Sequence, residues 1–454
     1  MCARRPHNLI GINSNIEILP YITEIQLPQL FPQGDQTPVY PAGHHEAISI
    51  EILKQLSGET LSDSERDIVL IGGGSLGSKI AIHLARSGTA PSTVIDKGFL
   101  SPHNAARHAL IPDIPSLHSS WLLSKAQALT EAIAGFGQST KPFIEDFTYS
   151  ATDRSLLNKL VPKNTWGIIN ATASLAVRET IAAIPVSQLK SRTIETALFG
   201  GGTVGIMTVE GQNRNPNCLD LIAEVYEFIR QDEFLRSSVF TDMIQYQSIG
   251  QGCGSATMIM SDAKISLFAA SMSQGIAQLR ANNFPLENGR VLIGRVTEDN
   301  MGLSWETIDV PPTHLVAIDN SHWKVRVSER AHQKICQEYD AYSNTETGGI
   351  LVGRISEISR TFFVTDVLPS PPDSERLPNK FILGVQDVKK TIREYENSCK
   401  SALYCLGTWH THLDDSGASA TDEQTAKVMS AARILLSILL IRNKSGYRAV
   451  ISKD

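Results

Sequence analysis

Asp67-Ile68-Val69-Leu70-Ile71-Gly72-Gly73-Gly74-Ser75-Leu76-Gly77 is the stretch that decides the fold. A run of strand length enters a G-x-G-x-x-G turn, and Ser78 to Ser87 continues with the spacing of an amphipathic helix. Strand, glycine turn and helix follow one another without a gap, the order in which a loop and a helix N-terminus meet a phosphate. Working outward, a second strand is expected over Ser92 to Asp96, a helix from about His118 to Ala134, a strand near Trp166 to Ala171 and a helix near Leu175 to Ile184. Strands alternating with helices predict a mainly parallel sheet in an α/β layer fold, Rossmann-like in its first turn.

Further on, Arg192 to Phe199 and Thr203 to Val209 read as strands joined at Gly200-Gly201-Gly202, and helical patterns cover Leu219 to Phe234 and Ala256 to Leu279. Val291 to Val296 and Leu303 to Val310 close this unit, and Pro311-Pro312 ends it. The expected division is an N-terminal arm and linker at 1–66, an α/β domain at 67–310, a linker at 311–322 and a smaller α+β domain at 323–454. Within the arm, Glu46 to Leu56 has a helical pattern. In the last domain a proline-rich loop is expected over Pro369 to Pro378 and a strand ending at His410.

At 454 residues the chain is long enough for about three folded units. A net charge of -6 gives no basic footprint for a nucleic-acid backbone. The longest apolar run, Ile434 to Ile441, is far short of the roughly 20 residues that span a bilayer. No apolar segment follows the basic start Arg4-Arg5, so a secretory signal is not expected. Six cysteines without a Cys-x-x-Cys pair suggest reduced thiols in a cytoplasmic protein, with no nucleic-acid or membrane partner.

The sharpest chemical signal is Gly407-Thr408-Trp409-His410-Thr411-His412, followed by Ser419 and Asp422. On an extended segment residues i and i+2 share a face, so His410 and His412 can offer both imidazoles to one ion. Asp422, in the first turn of the next helix, supplies a third, oxygen ligand. Two histidines and a carboxylate leave a fourth tetrahedral position for water, the donor set of a catalytic zinc. Glu346, at a strand entry in Glu346-Thr347-Gly348-Gly349, is the candidate base, and Ser419 the candidate donor to a developing oxyanion. A His-x-His pair alone would equally suit an ordinary polar strand face.

Taken together, Glu346, His410-Thr411-His412, Ser419 and Asp422 resemble the JAMM (JAB/MPN-plus, Mov34-like) metalloprotease pattern over about residues 323–454. Leu413 stands where that pattern has proline, and the His412-to-Ser419 spacer is about one residue short. The resemblance implies cleavage of a peptide or isopeptide bond after the C-terminal glycine of a ubiquitin-like protein.

In the larger domain Gly72, Gly74 and Gly77 form the loop, and Asp96, at the end of the second strand, lies where a carboxylate binds a ribose hydroxyl. This much also fits a dinucleotide dehydrogenase. Beyond it, Asn104-Ala105-Ala106-Arg107-His108 resembles the Asn-x-x-Arg-Gln element of ThiF/MoeB-type and ubiquitin-activating adenylyltransferases. Lys125 falls where that family has an ATP-contacting lysine, and Ala171 to Arg178 resembles its segment after the fourth strand. The resemblance covers roughly 67–310 and implies ATP with Mg2+, and a homodimer. That family usually carries two aspartates in the last segment, where this chain has Asn170 and Ala173, so the Mg2+ ligand is in question. Cys253, in a glycine loop, is the candidate thioester residue, with Cys218 next.

The pairing resembles bacterial fusions of activating enzyme and JAMM protease in ubiquitin-like conjugation systems, which implies a ubiquitin-like partner and a conjugating enzyme. The lead expectation is a bifunctional enzyme that activates and releases one glycine terminus. Activation of a sulfur carrier with precursor trimming, and a protease whose ThiF-like domain is an inactive substrate scaffold, are the alternatives.

Overall fold

Ile68, Val69, Leu70 and Ile71 are all buried, because helices cover both faces of the strand they form. The structure is a computed structural model that describes residues 2–4, 16–18, 21–23, 38–42, 47–58, 66–111, 123–241, 246–248, 256–318, 321–420, 422–424 and 436–451. Ile68–Ile71 lies inside an eight-stranded sheet ordered Leu303–Val310, Gly289–Val296, Val204–Val209, Arg192–Phe199, Gly167–Asn170, Ile68–Ile71, Thr93–Ile95, Lys141–Phe143. The last five of these are mutually parallel, and the first three add antiparallel pairs. The sheet is therefore mixed: its parallel half carries the glycine turn.

Lys141–Phe143 escaped the sequence reading because Pro142 sits in it, and a strand with proline is tolerated at the sheet edge where this one lies. The helix expected over Leu219 to Phe234 breaks at Asp232, whose side chain accepts from the Leu235 N–H and caps a second helix, Glu233–Val239. The helix expected from Ala256 begins instead at Asp262, capped by Ser261, while Ala256–Met258 pairs as a strand with Tyr246–Ser248. The helix expected from His118 runs over Lys125–Ala134, its expected first turns lying outside the described residues. In the arm, Ser49 caps the helix Ile50–Leu56.

The second sheet has seven strands in the order His314–Ala317, Lys324–Val327, Thr361–Pro369, Gly348–Ser356, Tyr404–Thr411, Ile438–Asn443, Gly446–Ile451. His314–Ala317 corrects the expected 311–322 linker. Four residues are too few to show a period in sequence, but they pair antiparallel with Lys324–Val327 and belong to this sheet. The sheet curls until its two edge strands approach each other. The expected proline-rich loop carries a short hairpin, Glu375–Leu377 with Lys380–Ile382.

Helix Cys218–Gln231 lies between the sheets and belongs to both. Its Leu219, Ile222, Val225 and Ile229 pack with Val204, Ile206, Val291 and Ile293 of the first sheet, and its Ala223 with Val352, Tyr395, Cys399 and Leu403 of the second domain. Three of its carboxylates are met from the second domain. Arg326 Nε donates to both Asp220 oxygens at 2.9 and 2.8 Å, Arg330 pairs with Glu224 at 2.8 Å, and the Tyr395 hydroxyl donates to Glu227 at 2.9 Å. A buried charge costs several kcal/mol unless paired. Each of these three carboxylates therefore has a partner across the seam.

Candidate active sites

Strand Tyr404–Thr411 ends in the sequence Trp409-His410-Thr411, and His412 N–H donates to Arg442 O, which holds the chain extended one residue further. His410 and His412 consequently project to the same side, with their Nε2 atoms 3.0 Å apart. The neighbouring strand enters beside them. Thr347 N–H donates to Thr411 Oγ1 at 2.9 Å, Thr411 N–H to Thr347 O at 2.8 Å, and Gly348 lies in register with His410. Glu346 is thereby placed so that its carboxylate and the two imidazoles each offer an atom within 4.8 Å of the others. A Cβ at Gly348 would meet Trp409 O at 2.3 Å and the Phe381 ring at 2.6 Å, so only glycine lets the hairpin lie this close.

Asp422 closes the set. Its carboxylate oxygens lie 3.4 Å from His410 Nε2 and 3.5 Å from His412 Nε2. Ser419 holds it: Ser419 N–H donates to Asp422 Oδ2 at 2.7 Å, and Asp422 N–H donates to Ser419 Oγ at 3.2 Å. Tetrahedral ligation at about 2.0–2.1 Å puts ligand atoms about 3.3 Å apart. Separations of 3.0, 3.4 and 3.5 Å match that edge, so His410, His412 and Asp422 fit a zinc ion, with Glu346 beside them. All four residues are buried, at the floor of a cleft of about 580 Å³ that includes Asn379, Lys380 and Phe381 of the hairpin.

The charges follow from this crowding. Burial pushes His410 down to about 4, against the pull of Asp422. The hydrogen bond with Asp422 raises His412 despite its burial. For Asp422, burial acts upward, but the bonds from His412 and Ser419 and the His410 charge hold the carboxyl well below its usual range. Burial, with Asp422 and Asp414 nearby, pushes Glu346 up to about 7 against the attraction of His412. A carboxyl near neutrality can both take and return a proton.

The glycine loop is built differently. Gly72 has φ +96°, and a Cβ at Gly77 would lie 1.9 Å from Gly72 O, so close packing of helix on loop requires both glycines. A Cβ at Gly74 would meet nothing within 4 Å, and Gly74 starts helix Ser75–Arg86 without a side-chain cap. An uncapped helix start beside an open loop suits an anionic phosphate. Asp96 braces the loop, accepting from Gly73 N–H at 2.7 Å and Gly98 N–H at 2.6 Å. His108 Nε2–H donates to Gly73 O at 2.7 Å while its Nδ1 accepts from Leu110 N–H, and burial lowers its pKa, so it serves as a neutral brace. Asn104 Oδ1 accepts from the N–H of Ser101, the N-cap of the turn that carries Arg107, at 2.8 Å, and Arg107 Nη1 donates to Met258 O at 2.5 Å. Lys125 opens the next helix, its Nζ 3.5 Å from where a Gly98 Cβ would stand.

The segment after the fourth parallel strand does not fit Mg2+. Asn170 is buried, its Oδ1 accepts from Thr172 N–H and Oγ1, and its Nδ2 has no partner. Ala173 offers no ligand atom. Arg178 is committed to structure, its Nε donating to both oxygens of buried Glu195 at 2.9 and 2.8 Å. Cys218 is also corrected as a candidate nucleophile: it is fully buried, its thiol lies 3.5 Å from Arg178 O, and burial raises its pKa well above the ordinary thiol value. Cys253 lies outside the described residues.

Sequence reasoning missed His108 and the Phe381 hairpin. His108 stood in view, next to Arg107. Phe381 gave no signal, since only the fold brings it to Gly348.

The fold and the two sites define an α/β nucleotide-loop domain joined to an α+β domain with a metal-type cleft. Residues 46–268 match the ThiF family. A curated relative, the CD-NTase/cGAS isopeptidase of Enterobacter hormaechei subsp. hoffmannii (strain UCI 50), is 32% identical over 87 residues, which are 19% of this chain and 47% of that protein. The match thus spans about half the relative's length. Among solved structures, E. coli MccB with AMPCPP and MccA is similar at 11% identity and a TM-score of 0.36, covering 54% of this chain and 64% of that one. PaaA is similar at 18% identity and a TM-score of 0.35, covering 54% and 65%. Among the described residues no helix is long and apolar enough to cross a membrane.

Proposed function

We propose that the chain is a bifunctional enzyme acting at the C-terminal glycine of a ubiquitin-like protein. The first domain activates that carboxylate with ATP, and the second hydrolyses peptide or isopeptide bonds that follow the glycine. The observation that carries the hydrolytic half is the convergence of His410, His412 and Asp422 at zinc-ligand spacing, with Glu346 at hand. The ThiF match supports the activating half.

In the second cleft, His410 and His412 would hold zinc through Nε2 and Asp422 through a carboxylate oxygen. Zinc held there would supply a Lewis acid that makes water nucleophilic at neutral pH. Glu346 takes the proton as water attacks the carbonyl carbon and passes it to the leaving nitrogen as the C–N bond breaks. Ser419 Oγ accepts from Asp422 N–H, so its own hydroxyl proton remains to donate to the oxyanion. Lys380 and Phe381, on the hairpin, line the cleft in which the substrate would be held.

In the first domain, Gly72, Gly74 and Gly77 form the phosphate loop. A glycine carboxylate attacks the α-phosphorus of ATP and pyrophosphate leaves, with Arg107 and Lys125 offsetting the charge on the phosphates. Asn170 and Ala173 supply no carboxylate for Mg2+. Cys253 would then accept the acyl group as a thioester. Asn170 and Ala173 favour a second reading, in which this domain binds nucleotide and substrate but performs no adenylation.

The test uses Glu346→Ala, so that hydrolysis cannot erase the product, with ATP, Mg2+ and a small protein ending in glycine. A reductant-sensitive adduct absent from Cys253→Ala, with ATP–pyrophosphate exchange, supports the bifunctional reading. Neither signal, with wild-type protein still cleaving a C-terminal extension, leaves the hydrolase with a nucleotide-fold scaffold.

A further inference from the structure

His412 reaches the metal point through Nε2, and what its other ring nitrogen meets decides whether that atom has a lone pair to give. Nδ1 lies 3.0 Å from Ser416 Oγ and 3.4 Å from Ser416 O. A carbonyl oxygen only accepts, so the contact with Ser416 O selects the tautomer with hydrogen on Nδ1; the hydroxyl then turns to accept as well. With Nδ1–H held there, Nε2 is the ring atom that can give up the proton it shares with Asp422 and offer a lone pair to an ion between His410 Nε2 and Asp422.

Ser416 is exposed, yet its position is fixed from several sides. Its N–H donates to Asp414 Oδ1 at 2.9 Å, which closes the turn after His412. Its carbonyl accepts from Nδ2 of Asn443 at 3.2 Å, and Asn443 is buried at the end of a core strand. Two residues on, Ala418 packs against Leu439 and Ile441. The turn is thus anchored to the sheet that carries His412, which holds the Ser416 backbone in place beside the imidazole.

We propose that Ser416 is a positioning residue for the metal centre: its hydroxyl and carbonyl bracket His412 Nδ1 and hold Nε2 aimed, as the ligand atom, at the point shared with His410 and Asp422. This rests on the reading of the cleft as a zinc site. Partners in this outer position typically change metal affinity by 10–100-fold. Removing the hydroxyl while the carbonyl stays should give the lower end of that range.

The test compares full-length wild type, Ser416→Ala, Ser416→Thr and Ser416→Val, with zinc affinity read by competition against a chromophoric chelator and site geometry by the visible spectrum after Co2+ loading. The expected result is a zinc dissociation constant about tenfold higher in the Ala and Val proteins, with an altered cobalt spectrum, and wild-type behaviour in the Thr protein. Thr and Val are nearly isosteric, so a difference between them reports the hydroxyl and not the packing. Equal zinc affinity and identical cobalt spectra in all four proteins would overturn the proposal while leaving the zinc site intact. A wild type that takes up neither ion would instead overturn the zinc reading itself.

Discussion

In the cleft of the second domain, His410, His412 and Asp422 find their polar contacts in one another and in the turn that follows, whereas around the glycine loop part of the bonding capacity of the charged groups already goes to the protein's own backbone. Asp96 braces Gly73 and Gly98, Arg178 is closed on Glu195, and Arg107 reaches Met258 O. A pocket whose donors converge on an ion-sized point is set up for a ligand. A pocket whose charges partly serve its own backbone relies on main-chain shape and on the bonding capacity that is left. The two halves of one chain thus differ in how far their charged groups converge on a point a ligand could occupy.

The largest effect should come from breaking the convergence. His412→Ala or Asp422→Ala removes one of three protein ligands, and zinc content is expected to fall from near one equivalent to background, with cleavage lost. Metal analysis by mass spectrometry and an intact-mass cleavage assay check this. Zinc retained by both variants would erase the contrast between the sites. Glu346→Gln should keep zinc yet lower kcat by about 10²–10⁴, the usual range for a general acid–base residue; unchanged kcat would assign the proton to another group.

The contrast sharpens from the other side with Ala173→Asp. Ala173 has φ +51°, a conformation aspartate tolerates better than most residues. Nucleotide affinity should become Mg2+-dependent by roughly tenfold, about one charge-assisted contact. Calorimetric titration of ATP with and without Mg2+ reads it, and an effect already present in the wild type would show that another group holds the ion.

The smallest effect concerns the seam. Burial raises Glu224 to about 7, although Arg330 pulls it down and Glu227, Asp366 and Asp220 add to the rise. The folded state therefore keeps a proton that the unfolded chain releases near its ordinary value, so this group's contribution to stability falls as pH rises from about 4.5 to 7. Glu224→Gln should flatten that part of the melting-temperature profile relative to wild type, by a few degrees at most. Parallel profiles for the two proteins would contradict the assignment.

How much could be read beforehand follows from the same physics. Ile68–Ile71 with its glycines, and His410-Thr411-His412 with Ser419 and Asp422, are local patterns in which a few neighbouring residues dictate backbone shape or ligand spacing. Cys218–Gln231 was legible as a helix, but nothing in its sequence marks the carboxylates Asp220 and Glu224 as buried. They are buried because Arg326 and Arg330 come from more than a hundred residues away. His314–Ala317 and the Phe381 hairpin were hidden for a related reason: short segments become strands only when a partner supplies the hydrogen bonds. Ser416 gave no sign either, since its meaning depends on Asn443 pinning the turn.

The most direct measurement is zinc-edge anomalous diffraction from crystals of the full chain grown with equimolar zinc. The account predicts one strong peak about 2.0–2.2 Å from His410 Nε2, His412 Nε2 and an Asp422 oxygen. A crystal with no peak between these three residues, or with zinc held only elsewhere, would contradict the claim that they form a hydrolytic metal centre.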